Sequence, residues 1–532
     1  MPRLPVATAA LLASTALASC AAAQTAAPSP SPPASSALVP TAAASPPDAP
    51  DAPHAPIFAP PGPGKRALIL FTASVQGYVE PCGCTGDPLG GVARLAAAVD
   101  DARSTWGARV LLLDGGDLFF EHSDDNAAAD ACQAGARADL LLSTYARLGL
   151  AATALGALDD VRGPAWRDAR LDKNDVLTVG VDPARSLVSG AKHSSSFIRD
   201  VGGAKIGVTA FSADDKAGES AAHDALAAEV QRLHKDADAI VVIAQSARDA
   251  SKRVVAGIPG IDVVIQGRAP GEVPIPPEKL DSGAVLVAAG MQAQYLGVVE
   301  LALDGRQPGA ALVLDDAQAQ GDARKKILDV RIHELEGQVS SSPEGARRQF
   351  LAQRLDAAKA ERTAIDDTTA KQAPLAAPGL RMTALPLPRG FPEDGAAKRA
   401  LAHYSDSIPS LVASCEANLT CPAPKPSEPT YVGASTCMKC HAGPYKFWQA
   451  QTVTLPGKDR AGHSIMRVEG HVHAWETLTA DGKDSDRECV GCHSVGFGSA
   501  AGACKTGDVV ARGLAAVQCE SCHGPGSAHA KS

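Results

Sequence analysis

Three short units near the C-terminus set two thiols and an imidazole at one fixed interval: Cys437-Met438-Lys439-Cys440-His441, Cys489-Val490-Gly491-Cys492-His493 and Cys519-Glu520-Ser521-Cys522-His523. Each reads C-x-x-C-H. Thiols three positions apart reach the two vinyl groups of one porphyrin, and the adjoining residue delivers its imidazole to an axial position of the iron. The pattern predicts three covalent haems c with their iron, held by Cys437 and Cys440, Cys489 and Cys492, and Cys519 and Cys522. His441, His493 and His523 are the proximal ligands of that reading. Zinc is the competing use of such cysteines. A zinc ribbon needs pairs of C-x-x-C sharing one ion, whereas each unit here ends in its own histidine and the gaps between units are unequal.

The sixth position on each iron decides what it can do. Outside the motifs the same region offers His463, His471, His473 and His529, but only Met438 and Met466 as thioethers. Histidine supply exceeds demand, so bis-histidine ligation at low potential is expected. Two function classes follow. The first is an electron carrier with redox partner proteins; the alternative is a reductase in which an iron without its sixth ligand binds a small nitrogen or oxygen species.

The other end of the chain speaks to compartment. Residues 1–19 open with Arg3, run through Val6, Leu11, Leu12 and Leu17 among alanines, and are too short for a mature membrane span. They read as a secretory signal. Leu17-Ala18-Ser19-Cys20 resembles a bacterial lipoprotein box, which implies lipidation of Cys20, and Ala21 in place of Asp favours the outer membrane. Export agrees with the haem motifs, because haem is attached on the outer side of the inner membrane. Between Ala21 and Gly64 the chain is mostly Ala, Pro and Ser and holds a third of its 39 prolines. Such a segment cannot build a packed core and reads as a semi-extended tether over 20–65.

The 532 residues leave room for two or three domains beyond the tether, and 45% apolar content is enough for a core. A net charge of -9 argues against nucleic acid as a partner. Lipid and haem would consume seven of the 13 cysteines, leaving Cys82, Cys84, Cys132, Cys415, Cys421 and Cys504. Among these, Cys415 and Cys421 are the expected disulfide. The Cys82-Gly83-Cys84 spacing leaves a strained disulfide, a buried thiol pair and a metal or redox site all open.

The middle of the chain alternates apolar runs with alanine-rich helical stretches. Ala67–Phe71, Val110–Asp114, Lys205–Phe211, Ala239–Ala244, Ile261–Ile265 and Ala284–Ala288 read as buried strands, with helices over Leu89–Arg103, Ala127–Leu148 and Ala221–Lys235. That alternation implies an α/β layered domain over 66–310. Within it, Phe71-Thr-Ala-Ser-Val-Gln-Gly-Tyr-Val-Glu-Pro81, Leu113-Asp-Gly-Gly-Asp-Leu-Phe119, Ala154-Leu-Gly-Ala157, Ile258–Gly267 and Ala289–Gly297 fall in the order seen in 5′-nucleotidase-like metallophosphatases. The resemblance implies a layered α/β sandwich. In that family a dinuclear metal site uses Asp-x-His, Gly-Asp, Asn-His, a lone His and Gly-His-x-His. Here Ser74 and Gln76 replace the first pair, Ala157 and Leu158 the third, Gln245 the lone His, and Gly267-Arg268-Ala269-Pro270 closes the series. Asp117 alone survives, with Asp114 nearby, so the expectation is a degenerate domain that keeps the fold and loses the phosphoesterase reaction.

Beyond about residue 310 the pattern turns to charged helix. Leu328, Ile332, Leu335 and Val339 form one stripe, Phe350, Leu351, Leu355 and Ala358 a second, and Ser340-Ser-Ser-Pro-Glu344 resets the chain between them. Two antiparallel helices over 311–372 are expected, as a spacer between domains or else a dimer contact. A Pro-rich linker is read over 373–430. From Tyr431 onward, Tyr431-Val-Gly-Ala-Ser-Thr-Cys437, Trp448, His471–Leu478 and Val517–His529 resemble a multihaem cytochrome of the nitrifier tetrahaem type. The resemblance implies a mainly α, haem-packed domain over 431–532 with haems in close pairs. Three sites stand in this sequence, and a further one is either absent or beyond Ser532.

Overall fold

The computed structural model describes residues 55–81, 88–122, 131–181, 192–307, 309–342, 345–370, 374–451, 453–458 and 464–531. Cys20, the signal, most of the tether, Cys82, Cys84 and His463 lie outside the described residues, as do Pro343 and Glu344 of the expected helix reset.

Every residue of the strand Arg66–Thr72 is buried, and the reason is visible in its alternation. Leu68 and Leu70 pack under helices, whereas Ala67, Ile69 and Phe71 point into a second sheet. The first sheet has eight strands in the spatial order Val313–Asp315, Gly379–Pro386, Tyr295–Ala302, Arg66–Thr72, Val110–Asp114, Leu150–Thr153, Thr178–Val179 and His193–Ser194. The second has six, in the order Ile275–Lys279, Val285–Ala288, Val263–Gln266, Ala239–Ser246, Ala204–Ala213 and Ser196–Val201. Between them lies a dry aliphatic layer that includes Ile69, Leu113, Val208, Val241, Ile265 and Val299. Val92–Trp106, Ala131–Arg147 and Gly395–Ala417 cover the outer face of the first sheet, and Lys216–Leu233 and Arg248–Val255 cover that of the second. The α/β sandwich is therefore four layers deep. Burial of each Leu, Ile or Val in these layers stabilises by about 1.5–3 kcal/mol, which makes the apolar layers the dominant favourable contribution.

The 373–430 segment departs from the expected linker. Gly379–Pro386 pairs antiparallel with Tyr295–Ala302 over its whole length and sends Leu380 and Met382 into the inter-sheet layer. Gly395–Ala417 is a 23-residue helix capped by Asp394, whose carboxylate accepts from Ala397 N, and it buries Ala397, Tyr404, Ile408 and Val412. Pro378 and Pro386 bound the strand and Pro409 sits inside the helix. Those prolines, ordinarily breakers, hid both elements from a reading of local pattern.

The helical pair is present as Ala317–Ser341 and Ala346–Ala370, joined through Leu328, Leu335, Leu351 and Ala358. Phe350, expected in the stripe, is 59% exposed. The spacer reading is corrected. The strands flanking the pair, Val313–Asp315 and Gly379–Pro386, are parallel neighbours in one sheet, so the helices leave and rejoin the same edge. They form an arm about 37 Å long, at 1.5 Å per residue.

The tether also ends earlier than residue 65. Asp101 accepts from the backbone N of Ile57 and Phe58, and Trp106 Nε1 donates to Ala59 O, which straps the chain to the body from Ile57 onward. Among the described residues no helix is long and apolar enough to cross a membrane.

Candidate haem sites

Each C-x-x-C-H unit forms a single helical turn. His441 N donates to Cys437 O at 2.9 Å, His493 N to Cys489 O at 3.0 Å, and Cys519–His523 is itself a short helix. A helical turn puts residues three apart on one face, so both thiols of a unit look the same way. In every unit the first cysteine is half-buried and the second is exposed.

The helices are held by local caps. Asp486 accepts from Glu488 N and Cys489 N at the head of the second, and Gln518 and Ser521 cap each other reciprocally in the third. Gly433 (φ 77°), ahead of the first, takes a left-handed turn, and a Cβ there would meet Gly513 O at 2.8 Å.

The first and third units form one assembly. Glu520, an intervening residue of the third motif and 3% exposed, accepts from Val432 N, Gly433 N and Gly526 N at 2.7–3.1 Å. Gln518 accepts from Ala434 N and donates to Gly513 O and Ala515 O. Trp448 Nε1 donates to Val517 O at 2.9 Å. Cys437 Sγ donates to Gly433 O at 3.9 Å; burial pushes the Cys437 thiol up, and Cys519 and Glu520 add in the same direction. The His441 and His529 rings lie 6.0 Å apart, their planes inclined by 26°.

The second unit sits apart. His493 Nδ1 donates to Ala474 O at 2.5 Å, and since a carbonyl only accepts, Nδ1 carries a ring proton and Nε2 is the nitrogen left to offer a lone pair in the neutral ring. That is the tautomer an iron ligand needs, oriented as such ligands are by a backbone carbonyl. Burial pushes the Cys489 thiol well above its ordinary range, with Asp486 contributing.

These residues fit covalent haem. The thiols are paired on one face, an imidazole follows each pair, and Met438 and Phe447 display apolar surface beside the first unit, at 45% and 70% exposure. The segment's own core is small, made of Leu478, Val490, Val495, Ala503, Val509 and Leu514.

Of the candidate sixth ligands, His529 is brought to His441. His471 and His473 share a tight turn: the carbonyl of His471 accepts from Val517 N beside the third motif, and His473 Nδ1 donates to Glu476 Oε2 at 2.7 Å.

The expected Cys415–Cys421 disulfide is not formed. Cys421 bonds Cys504 across a Cα–Cα distance of 5.7 Å, and Cys415 is disulfide-bonded to a different partner. Cys415 lies in the last turn of the helix Gly395–Ala417, and the chain leaves that helix toward the buried Cys504.

At the strand ends of the α/β body, three of the positions that the resemblance maps to metal ligands are engaged with backbone through their side chains. Asp117 Oδ1 accepts from Leu158 N. Ser74 Oγ donates to Gly267 O and accepts from Ala269 N, and Gln245 Nε2 donates to Gly115 O. Gly115 and Gly267 approach so closely that a Cβ on Gly115 would lie 2.9 Å from the Gly267 Cα. Ser74, Gln76 and Asp117 have φ of 46°, 57° and 52°, a left-handed conformation that costs non-glycine residues about 1–3 kcal/mol each.

The sequence reading missed Asp159, which accepts from Asp117 N, Leu118 N and Gly156 N and is 1% exposed. Burial first, then the charge of Asp117, pushes its carboxyl up to about 8. Burial likewise pushes Asp114 up to about 6, against hydrogen bonds from Thr72, Thr153 and Gly116. Asp159 follows directly after Ala157-Leu158, the pair that stands in place of Asn-His.

Residues 436–524 match the family of cytochrome c554 and c-prime. The match implies covalent haem c in this cytochrome c554-like segment, and all three C-x-x-C-H units fall inside it. No curated protein matches the chain in sequence. Among solved structures it is similar to the 5′-nucleotidase precursor of Thermus thermophilus, at 18% identity over 65% of this chain and 59% of that one, with a TM-score of 0.41. It is similar to the sulfate thiohydrolase SoxB of the same organism in complex with glycerol, at 13% identity over 69% and 63% of the two chains and a TM-score of 0.42. The calcineurin-like phosphoesterase YfkN of Bacillus subtilis gives 14% identity over 66% and 99%, with a TM-score of 0.40. The chain spans about three fifths of the length of the first two.

Proposed function

We propose that this protein is an electron carrier that holds three haems c in its cytochrome c554-like segment and exchanges electrons with redox partner proteins. Haem supplies a one-electron iron couple; the chain supplies thioether cysteines, oriented imidazoles and a fixed spacing between sites. The observation that carries the reading is the arrangement of the three motifs: three separate helical turns, with the first and third joined by Glu520 and Gln518. His441, His493 and His523 are the proximal ligands, and His529 is the sixth ligand facing His441, with His471, His473 and His463 as the remaining candidates.

Export by the N-terminal signal and a lipid on Cys20 would tether the carrier to the outer membrane, and the α/β body acts as scaffold or docking surface. Asp117, Ser74 and Gln245 are tied to backbone, which supports loss of phosphoesterase chemistry in that body.

A pyridine haemochrome assay with intact mass, joined to an electron paramagnetic resonance spectrum, tests the reading. The expected result is three covalent haems per chain, all low-spin. A chain that carries no thioether-linked haem overturns it. A high-spin ferric signal that binds cyanide or nitric oxide moves the protein to the reductase class.

A further inference from the structure

The second motif is gripped by the α/β body in a way that the other two are not. Its helix, Arg487–Cys492, is capped by Asp486, which is 8% exposed and lies three residues before Cys489. Gln133, on the helix Ala131–Arg147 and 2% exposed, completes that cap from 353 positions away in sequence. Its Nε2 donates to Asp486 Oδ1 at 2.6 Å, and its Oε1 accepts from Arg487 N at 3.2 Å. One neutral amide thus satisfies both a buried carboxylate and one of the free N–H groups of the first helical turn. Three ion pairs surround it: Arg137 with Glu488, Lys483 with Glu80, and Arg487 with Glu416. Glu416 also accepts from Thr506 N and Oγ1. The first and third motifs are held instead from within their own segment, by Glu520 and Gln518.

We propose that Gln133 is a positioning residue for the second haem, fixing the Asp486 cap and with it the helix that carries Cys489, Cys492 and the orienting contact of His493. The proposal rests on the three-haem reading. Its physical content is that the α/β body sets the electrostatic surroundings of one haem and leaves the other two alone. A carboxylate close to an iron favours its ferric state, and an ammonium group favours the ferrous state, most strongly where water is excluded.

The test is spectroelectrochemical titration of the full-length holoprotein as wild type, Gln133→Glu, Gln133→Lys and Gln133→Asn, with haem peptides mapped by mass. Gln133→Asn, too short to keep both contacts, should disturb the second site alone without adding charge; relative to it, Gln133→Glu should lower one of the three midpoints and Gln133→Lys should raise the same one. The other two midpoints should not move. A purely structural contact would shift all variants in one direction or disturb every haem alike, and either result, like no shift at all, overturns the proposal. If a charged variant does not accumulate, the remaining charged variant against Gln133→Asn still reads the sign. Absence of haem on the Cys489–Cys492 peptide of wild type overturns the three-haem reading itself, whereas haem present without a charge-signed shift overturns only the role of Gln133.

Discussion

The strand ends of the α/β body and the helical turns of the cytochrome c554-like segment use polar side chains in opposite ways. In the body, Asp117, Asp159, Ser74 and Gln245 turn onto backbone groups and hold loops shut. In the segment, Cys440, Cys492 and Cys522 are exposed, while the carboxylates and amides around them, Glu520, Gln518 and Asp486, do the holding. Side chains absorbed into loop bracing are not available to a ligand, whereas side chains whose bracing is delegated to neighbours are. The difference extends to the cores. The body has three thick aliphatic layers, the segment one small cluster of six buried residues, so the segment depends far more on buried hydrogen bonds and on bound macrocycles for its stability.

The largest effect that would break this contrast is on haem. Cys489→Ala should lower the haemochrome count from three to two per chain and loosen the surrounding fold, because a small core cannot compensate for a missing macrocycle. An unchanged count would refute attachment at the second motif. Next comes Glu520→Ala. It strands the buried N–H of Gly433 and the half-buried N–H groups of Val432 and Gly526, at about 1–3 kcal/mol per unpaired donor, or about 3–9 kcal/mol in all, toward the lower figure because two of the three reach water. Hydrogen exchange should accelerate across residues 431–531 and remain slow in Arg66–Thr72. Equal acceleration in both would show that the two regions are not separately braced.

The smallest effect lies in the body and depends on pH. Asp114 and Asp159 are pushed up from an ordinary 3.8 to about 6 and about 8. The folded state therefore keeps protons that the unfolded state has released, and the stability they contribute is complete below about pH 4. It falls as pH rises, through about 6 for Asp114 and about 8 for Asp159, by at most about 1.4 kcal/mol per group per pH unit. Chemical denaturation of wild type and Asp159→Asn between pH 5 and 8 should show the wild type losing stability relative to the variant. A difference that stays flat over this range would mean that Asp159 is ionised throughout and braced as a carboxylate.

Much of this was legible in the chain because it is local. Haem attachment is written in five consecutive residues, and central strands such as Val110–Asp114 announce themselves as unbroken apolar runs. The resemblance to metallophosphatases was likewise carried by short local stretches, one motif at a time. What escaped was non-local. Gly379–Pro386 is a strand only because Tyr295–Ala302 offers it an edge, and Gly395–Ala417 is a helix despite Pro409 because its apolar face has somewhere to go. Cys421 finds Cys504 rather than its near neighbour, and Gln133 finds Asp486, through folding that brings distant segments together. No spacing rule anticipates such partners.

The arm Ala317–Ser341 and Ala346–Ala370 has a consequence for the integrity of the whole chain. Because it begins and ends on adjacent strands, a proteolytic nick at its tip would divide the polypeptide in two without dividing the particle. The C-terminal fragment, which carries every haem motif, would stay stitched to the N-terminal one by Gly379–Pro386, lying between Val313–Asp315 and Tyr295–Ala302.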